Sequence, residues 1–485
     1  MLHLQQLYAI ILIIKNQVVE RNKIMKKIIS LLLIVCFFIS NSAFAISDKK
    51  PKKEKKETKK ITATVNKFEY INVGWWAKFN DENLNKYVQL AVNNNYDLKM
   101  ATIAVEEYYQ GIKLQRSQEL PVISAGFAPS FVSNRGFEKF RMDRDQTMYA
   151  VPLIVSYEAD IFLKNHDKTR SAKKSYEISL TDERASYISI VSAVGSLYFN
   201  IVKLNKLIEN QEIIVNCRKE ISDLMDLSNK EGLVSTFETV RANESYILGN
   251  TVLTEYKKQR TYLLNQLAVL TGTSPDDCEK LEITDYDSIN FDGIIPEEIS
   301  SEVIVNRPDY IRSEKMLEKA GIDVRVAKKE FLPTIPIFGA LVFNSDKFGS
   351  IFTTSNALWA VGGSVLASLY TGGAKRANLK IKKAEFERLL NNYKKTNLTA
   401  IQEVNDALAS VKFDTKKLDD NLKNKELESK AFDLTQMQYD EGVASKLDLM
   451  QRQENLLNVN QMVISEKMNC YLDYIGLYKA TGAGI

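Results

Sequence analysis

Histidine is almost missing from this chain: 485 residues contain two, His3 and His166. Cysteine is scarce as well, at Cys36, Cys217, Cys278 and Cys470, with no CxxC. Structural zinc and a dense disulfide framework are therefore excluded. Any histidine triad or histidine metal cluster would rest on His166, which lies in FLKNHDKT just after a predicted strand and reads as exposed turn chemistry. There is no P-loop and no GxGxxG following a strand, so neither a nucleotide site nor a cofactor is expected, and nothing assembles into a catalytic constellation. The net charge of +4 is too small to imply a nucleic-acid partner. Proline is absent from four long stretches, Ser171–Glu231, Ser235–Thr271, Ala374–Glu441 and Ser445–Ala480. They read as long helices, whose interiors exclude proline. A hydrophobic content of 45% excludes wholesale disorder.

The chain does carry itself twice. YDEGVASKLDLMQ (Tyr439–Gln451) has an earlier copy in SNKEGLVSTFETV (Ser228–Val240), and the two glycines fix the spacing, 442 − 232 = 210. LAVLTG (Leu267–Gly272) and LYKATG (Leu477–Gly482) share that spacing. ELPVISAGFAPSF (Glu119–Phe131) matches FLPTIPIFGALVF (Phe331–Phe343) at 212, as Asp97 matches Asp309. One register over several landmarks argues for a duplicated unit, with repeats expected over 71–285 and 286–485.

Met25-Lys26-Lys27, the apolar run Ile28–Ile39 and Ala43-Phe44-Ala45 form a basic, an apolar and a cleavage region. Residues 1–45 therefore read as a secretory signal, with translation expected to begin at Met25. The rival is that Leu7–Ile14 belongs to a real element. Cys36 reads as part of the apolar run rather than a lipidation site. Beyond it, 46–70 holds KKPKKEKKETKK (Lys49–Lys60), a self-repelling stretch expected to be a disordered tether. The three cysteines past the signal are expected to be small packing residues.

Trp75-Trp76 and Phe79 precede two predicted helices, Asp81–Val92 and Asp97–Ser117, the second stopped by Pro121. Alternation at Ile123, Ala125, Phe127 and Phe131 predicts a strand, and Leu153, Val155 and Tyr157 a second. The other half copies them at Ile335–Phe343 and at Trp359, Val361, Val365, Ala367 and Leu369. Gly362-Gly363 and Gly372-Gly373 flank the last strand and suit turns or close backbone contact. Strands of about ten residues cross a bilayer at a tilt. Four such strands cannot close, and an open edge in lipid costs several kcal/mol per unpaired group. If the strands lie in a membrane, other chains must complete the barrel: two copies give eight strands and a filled interior, three give twelve and a pore. Along Ser445–Ala480 apolar residues recur every seven, which calls for coiled-coil packing. Gly232 and Gly442 are the expected turning points of paired helices. Leu447, Asp448, Gln451 and Arg452, just past Gly442, would face inward as rings, and a carboxylate ring selects by charge. Asp448 and Arg452 are spaced for a salt bridge that could hold the end shut; the plainer alternative is an ordinary exposed helix pair worth a few tenths of a kcal/mol.

The chain resembles the TolC-like outer-membrane efflux family, in the branch paired with resistance-nodulation-division pumps. The stretches that carry the resemblance are WWAKFNDENLNKYVQLAVNNNYDL, ELPVIS, YEADIF, NRPDYIRSEKMLEKAGIDVRVAKKEFLPTI, YTGGAKRA and YDEGVASKLDLM, in family order. The resemblance implies a mainly α fold with transmembrane β-strands: a homotrimer whose strands form a twelve-stranded barrel in outer-membrane lipid and whose helices form an α-barrel through the periplasm. It implies a periplasmic adaptor, or membrane fusion protein, and an inner-membrane pump docking at the tips near Gly232 and Gly442. It places a constriction at Leu447, Asp448 and Gln451. Some members are acidic at the last of these, so the glutamine puts a second charged ring in doubt. Lipidation, common in the branch, lacks a suitable cysteine. The function expected is a passive export conduit with a gated periplasmic tip. The alternative is a long helical structural or adhesive surface protein.

Overall fold

The computed structural model describes residues 74–132, 146–291 and 302–482. The expected signal over 1–45, with Met25 and Cys36, and the tether over 46–70 lie outside the described residues. So does nearly all of the loop after the first strand.

A turn of 3-10 helix, Trp75–Phe79, leads into α1 (Glu82–Asn94) and α2 (Tyr96–Arg116). Asp81 opens α1, its carboxylate accepting the backbone N–H groups of Asn83 and Leu84. Two of the helix's orphan donors are thereby satisfied. The strands β1 (Val122–Ala125), β2 (Ala128–Val132) and β3 (Gln146–Glu158) follow, then α3 (Lys164–Lys230) and α4 (Thr236–Thr271). The second half repeats the order: α5 (Pro308–Lys329), β4 (Pro336–Ser345), β5 (Ala357–Gly363), α6 (Ala374–Asp440) and α7 (Lys446–Ala480). α3 and α6 are each 67 residues, about 100 Å at 1.5 Å per residue. Their first residues stand at the spacing of the two tip glycines, so the duplication legible in the sequence is a duplication of elements.

The two long helices differ in burial. α3 buries 26 residues along its length and α6 only four, Leu389, Ala400, Val404 and Val411. α3 contains a stretch long and apolar enough for a membrane span by composition. Its Tyr198, Phe199, Ile201 and Val202 are buried in the main core instead. That core is aromatic. Phe79 lies 4.5 Å from Phe199, 4.8 Å from Phe291 and 5.2 Å from Tyr471, ring to ring. Trp75 packs on Tyr478 at 5.5 Å. A Cβ on Gly195 would stand 2.7 Å from the Trp75 ring, so the indole lies against helix backbone that no larger residue would leave free. Among the cysteines, Cys217 and Cys278 are buried and free. α7 turns its heptad residues Met450, Val463, Ile464, Tyr471, Leu477 and Tyr478 inward.

The sheet is antiparallel throughout, in the order β1–β3–β4–β5, with β2 also on β3. β3 and β4 join the two halves. The first predicted strand appears as two segments that keep one register, Val122 opposite Ser156 and Ala128 opposite Ala150. The interruption falls at Gly126, which donates its N–H to the Pro152 carbonyl at 2.9 Å. Pro152 has no N–H to return, so the ladder lapses there. The last strand is a correction. It ends at Gly363, and of its predicted continuation through Val365, Ala367 and Leu369 only an isolated bridge, Leu366 to Thr334, persists.

The register sorts the sheet into two faces. Val151, Leu153, Val155 and Tyr157 of β3 share a face with Ile337, Leu341 and Phe343 of β4 and Trp359 and Val361 of β5. Between these positions the face is apolar, and Thr147 and Ser345 stand on it only at the end away from the long helices. At the end away from the long helices it is bordered by rings: Phe127 stacks on Tyr149 at 6.4 Å, and Phe348 meets both. An apolar band with an aromatic border is the lipid-facing pattern of a membrane strand.

Candidate functional site

The two helix hairpins end alike. After α3, Gly232 takes φ +73°, its N–H bonding to the Asn229 carbonyl at 2.9 Å and that of Leu233 to Ser228 at 2.8 Å. After α6, Gly442 takes φ +76°, with Gly442 bonded to Tyr439 at 2.9 Å and Val443 to Gln438 at 2.8 Å. These are paired Schellman closures, in which the left-handed glycine satisfies the last carbonyls of the helix. Leu233 and Val443, the residues after each glycine, are 77% and 75% exposed. Apolar tips offered to water at both hairpins suit contact with another protein.

Each following helix starts on a serine. Ser235 accepts from the Glu238 N–H, and Ser445 accepts from the Asp448 N–H at 3.1 Å. At the second tip the Asp448 carboxylate returns the contact, taking the Ser445 N–H at 3.1 Å and hydroxyl at 2.7 Å. This is a capping box, spelled in the sequence as Ser445-Lys446-Leu447-Asp448 and not read from it. It overturns the expected Asp448–Arg452 salt bridge. Asp448 is held by its own cap, and Arg452 reaches across to Glu428 of α6 at 3.2 Å. The capping contacts to Ser445 lower the Asp448 pKa below the usual carboxylate range, since hydrogen bonds to the charged form favour it.

Asp448 and Gln451 are exposed, Leu447 and Arg452 half-buried. The other face of the same turns, Lys446, Leu449, Met450 and Gln453, borders a cavity of about 240 Å³ against Cys217 and Glu220 of α3. Around it runs a ladder that ties α7 to α3. The Cys217 thiol donates to the Met450 carbonyl at 3.4 Å, Lys446 pairs with Glu220 at 3.4 Å, and Gln461 donates to Gln211 at 2.9 Å. Burial pushes the Cys217 thiol up to about 11, so it stays protonated and able to donate. The strongest rung is Arg218. Its Nε and Nη2 donate to one Glu454 oxygen at 3.0 and 2.6 Å, and its Nη1 to the Ser245 carbonyl of α4 at 3.0 Å. One guanidinium therefore joins three helices two turns above Asp448. Sequence reasoning missed Arg218 and Glu454 because they stand 236 positions apart.

A chain that repeats two helical hairpins around an antiparallel sheet, with apolar tips and a carboxylate beside the second turn, has the architecture of a helix-and-strand outer-membrane channel protein. The profile of the family described as "Outer membrane efflux protein" matches residues 87–273 and again 299–483, and the chain belongs to that family. It is 26% identical over 419 residues to the "Probable efflux pump outer membrane protein TtgC" of Pseudomonas putida, covering 85% of each chain. It is 24% identical to the "Probable outer membrane lipoprotein SilC" of Salmonella typhimurium, covering 87% of this chain and 90% of that one. Its fold is similar to the CmeC outer membrane channel of Campylobacter jejuni, with TM-score 0.79, 26% identity, and 86% and 89% of the two chains covered. The protein is an outer-membrane efflux channel component that extends into the periplasm. The adhesive-surface alternative is thereby set aside.

Proposed function

We propose that three copies of this chain, each built of tandem units over 71–285 and 286–485, close one twelve-stranded barrel in outer-membrane lipid, and that their helices enclose a periplasmic tunnel. The observation that carries this reading is the open sheet. β1 and β5 are its edges, and its apolar face requires lipid, where unpaired backbone groups cost several kcal/mol each. α6 adds support, because Phe413, Leu427 and Leu434, separated by multiples of seven, are each more than 60% exposed. Such a stripe needs a neighbouring helix. The efflux-pump relatives support the further reading that a periplasmic adaptor meets the tips at Gly232 and Gly442 and an inner-membrane pump supplies the energy. Detergent-purified protein is expected to have the mass of three chains, and a folded single chain would overturn the reading.

The gate is assigned to Leu447, Asp448, Gln451 and Arg452, with Asp448 as its charge. Three carboxylates at a narrow tip attract multivalent cations. Asp448→Asn, which removes charge while keeping an acceptor for Ser445, is expected to weaken block by a trivalent cation in planar bilayers. Asp448→Ala, which also removes half of the capping box, is expected to raise conductance as well. The sign with pH follows from the lowered pKa: the group stays ionised as pH falls through the usual carboxylate range, so block persists there and is lost only in stronger acid. Block that is indifferent to both substitutions removes Asp448 from the gate.

A further inference from the structure

The face of the sheet opposite the lipid face lines the lumen, if the barrel closes as proposed above. It contains no unpaired charge. β1, β2, β4 and β5 hold no Asp, Glu, Lys, Arg or His, and β3 holds only Glu158, at its last position, where Lys164 neutralises it at 2.7 Å. Ser124, Ser130 and Asn344 give its ends the polarity usual inside a water-filled barrel, whereas the stretch around Phe338 is apolar. The large apolar side chains of that stretch are Ile154, Phe338, Val342 and Leu358, with Ser156 and Gly362 flanking Phe338 in register. Phe338 is 51% exposed in the protomer. Its ring leans over Gly362, where a Cβ would stand 2.6 Å from the ring edge. Glycine at that position lets the ring lie flat across β5 instead of standing into the passage.

We propose that the strand-built part of the pore is an uncharged passage whose apolar belt, centred on three copies of Phe338, takes up amphipathic organic molecules of either charge on their way out and offers hydrated metal ions no site. An aromatic ring and its aliphatic neighbours give an apolar body contact area without selecting the sign of its charged end. A hydrated cation could settle against the belt only by exchanging water for hydrocarbon, at a cost. Charge selection then belongs to the helical part of the conduit.

The test uses the full-length assembly in planar bilayers, with probes added on the extracellular side. Tetraphenylphosphonium, an aromatic cation, and a naphthalene sulfonate, an aromatic anion, are both expected to reduce the current. Phe338→Ser is expected to weaken both blocks by about tenfold, and Phe338→Leu to keep most of them. Any effect of magnesium is expected to be equal in wild type and Phe338→Ser. Ala360→Asp, on the same face, serves should Phe338→Ser fail to assemble: it is expected to strengthen the cation's block and weaken the anion's. Aromatic block that ignores Phe338, or block by one sign of charge only in the wild type, overturns the proposal. Currents without aromatic block tell against this lining alone, whereas a wild-type assembly that carries no current tells against the channel itself. Placement is checked separately: Ala340→Cys is expected to react with a charged maleimide and Leu341→Cys to resist it, and the reverse pattern would exchange the two faces.

Discussion

Arg218→Ala is expected to raise the resting conductance of the reconstituted channel several-fold. The guanidinium holds Glu454 of α7 and the Ser245 carbonyl of α4 at once, with both partners of the ion pair only about a fifth exposed, 21% and 19%. Removing it strands a half-buried carboxylate and an unpaired carbonyl, at about 2–4 kcal/mol. Gly249 of α4 lies against the Arg218 side chain, a Cβ there being 3.4 Å from Arg218 Cδ, so α4 has approached closely around this contact. The rung is part of what keeps α7 on α3 just above the Asp448 turn, and a shift of 2 kcal/mol changes a two-state ratio about thirtyfold. Single-channel recording provides the measurement. A double-mutant cycle with Glu454→Gln separates the latch from general loosening: a true pair gives a double variant much less affected than the sum of the singles. Conductance unchanged in a correctly assembled Arg218→Ala protein would show that the tip is held elsewhere.

Phe79→Ala is expected to cost about 3–5 kcal/mol, the range for deleting a fully buried aromatic side chain. Phe79 is 0% exposed and touches rings from four segments: Trp75 of its own turn, Phe199 of α3, Phe291, and Tyr471 and Tyr474 of α7. Its loss frees the segment that carries Trp75, and with it the packing against Gly195. The Asp81 network, in which the Tyr198 hydroxyl donates to the carboxylate at 2.6 Å and Thr284 donates at 2.9 Å, should hold the start of α1 less firmly. The helical signal of the purified assembly is expected to melt at lower temperature, and limited proteolysis is expected to cut first near residues 75–81. Val443→Ala, at the exposed tip, serves as the control, with little change in melting. A Phe79→Ala protein that melts like wild type would mean that the N-terminal turn is not part of the cooperative core.

The local instructions were legible residue by residue. Uninterrupted stretches without proline bounded α4, α6 and α7 and the end of α3 to within a residue, because helix ends are set by glycine, proline and capping side chains close in sequence; α3 starts at Lys164, ahead of the expected Ser171. The strand positions were readable from alternation, and the shared register of β1 and β2 shows that one strand was intended where Pro152 breaks the ladder. The strand through Leu369 was over-extended, because alternation persists in sequence past the point where β4 has residues left to pair.

What the amino-acid order determined by itself is the duplicated plan, the tip turns at Gly232 and Gly442, and the membrane-length strands, all of which depend on neighbours within a few positions. The tertiary structure alone decided the partners: Arg452 with Glu428 rather than Asp448, Arg218 with Glu454 and Ser245, and Phe79 at the centre of the rings. It also decided which residues share each side of the sheet, Leu341 with Trp359 on one and Phe338 with Leu358 on the other. The physical reason is range. Capping and periodicity act through one or two turns of chain, whereas a charge or a ring takes whichever opposite group the packing of distant helices brings within a few ångströms.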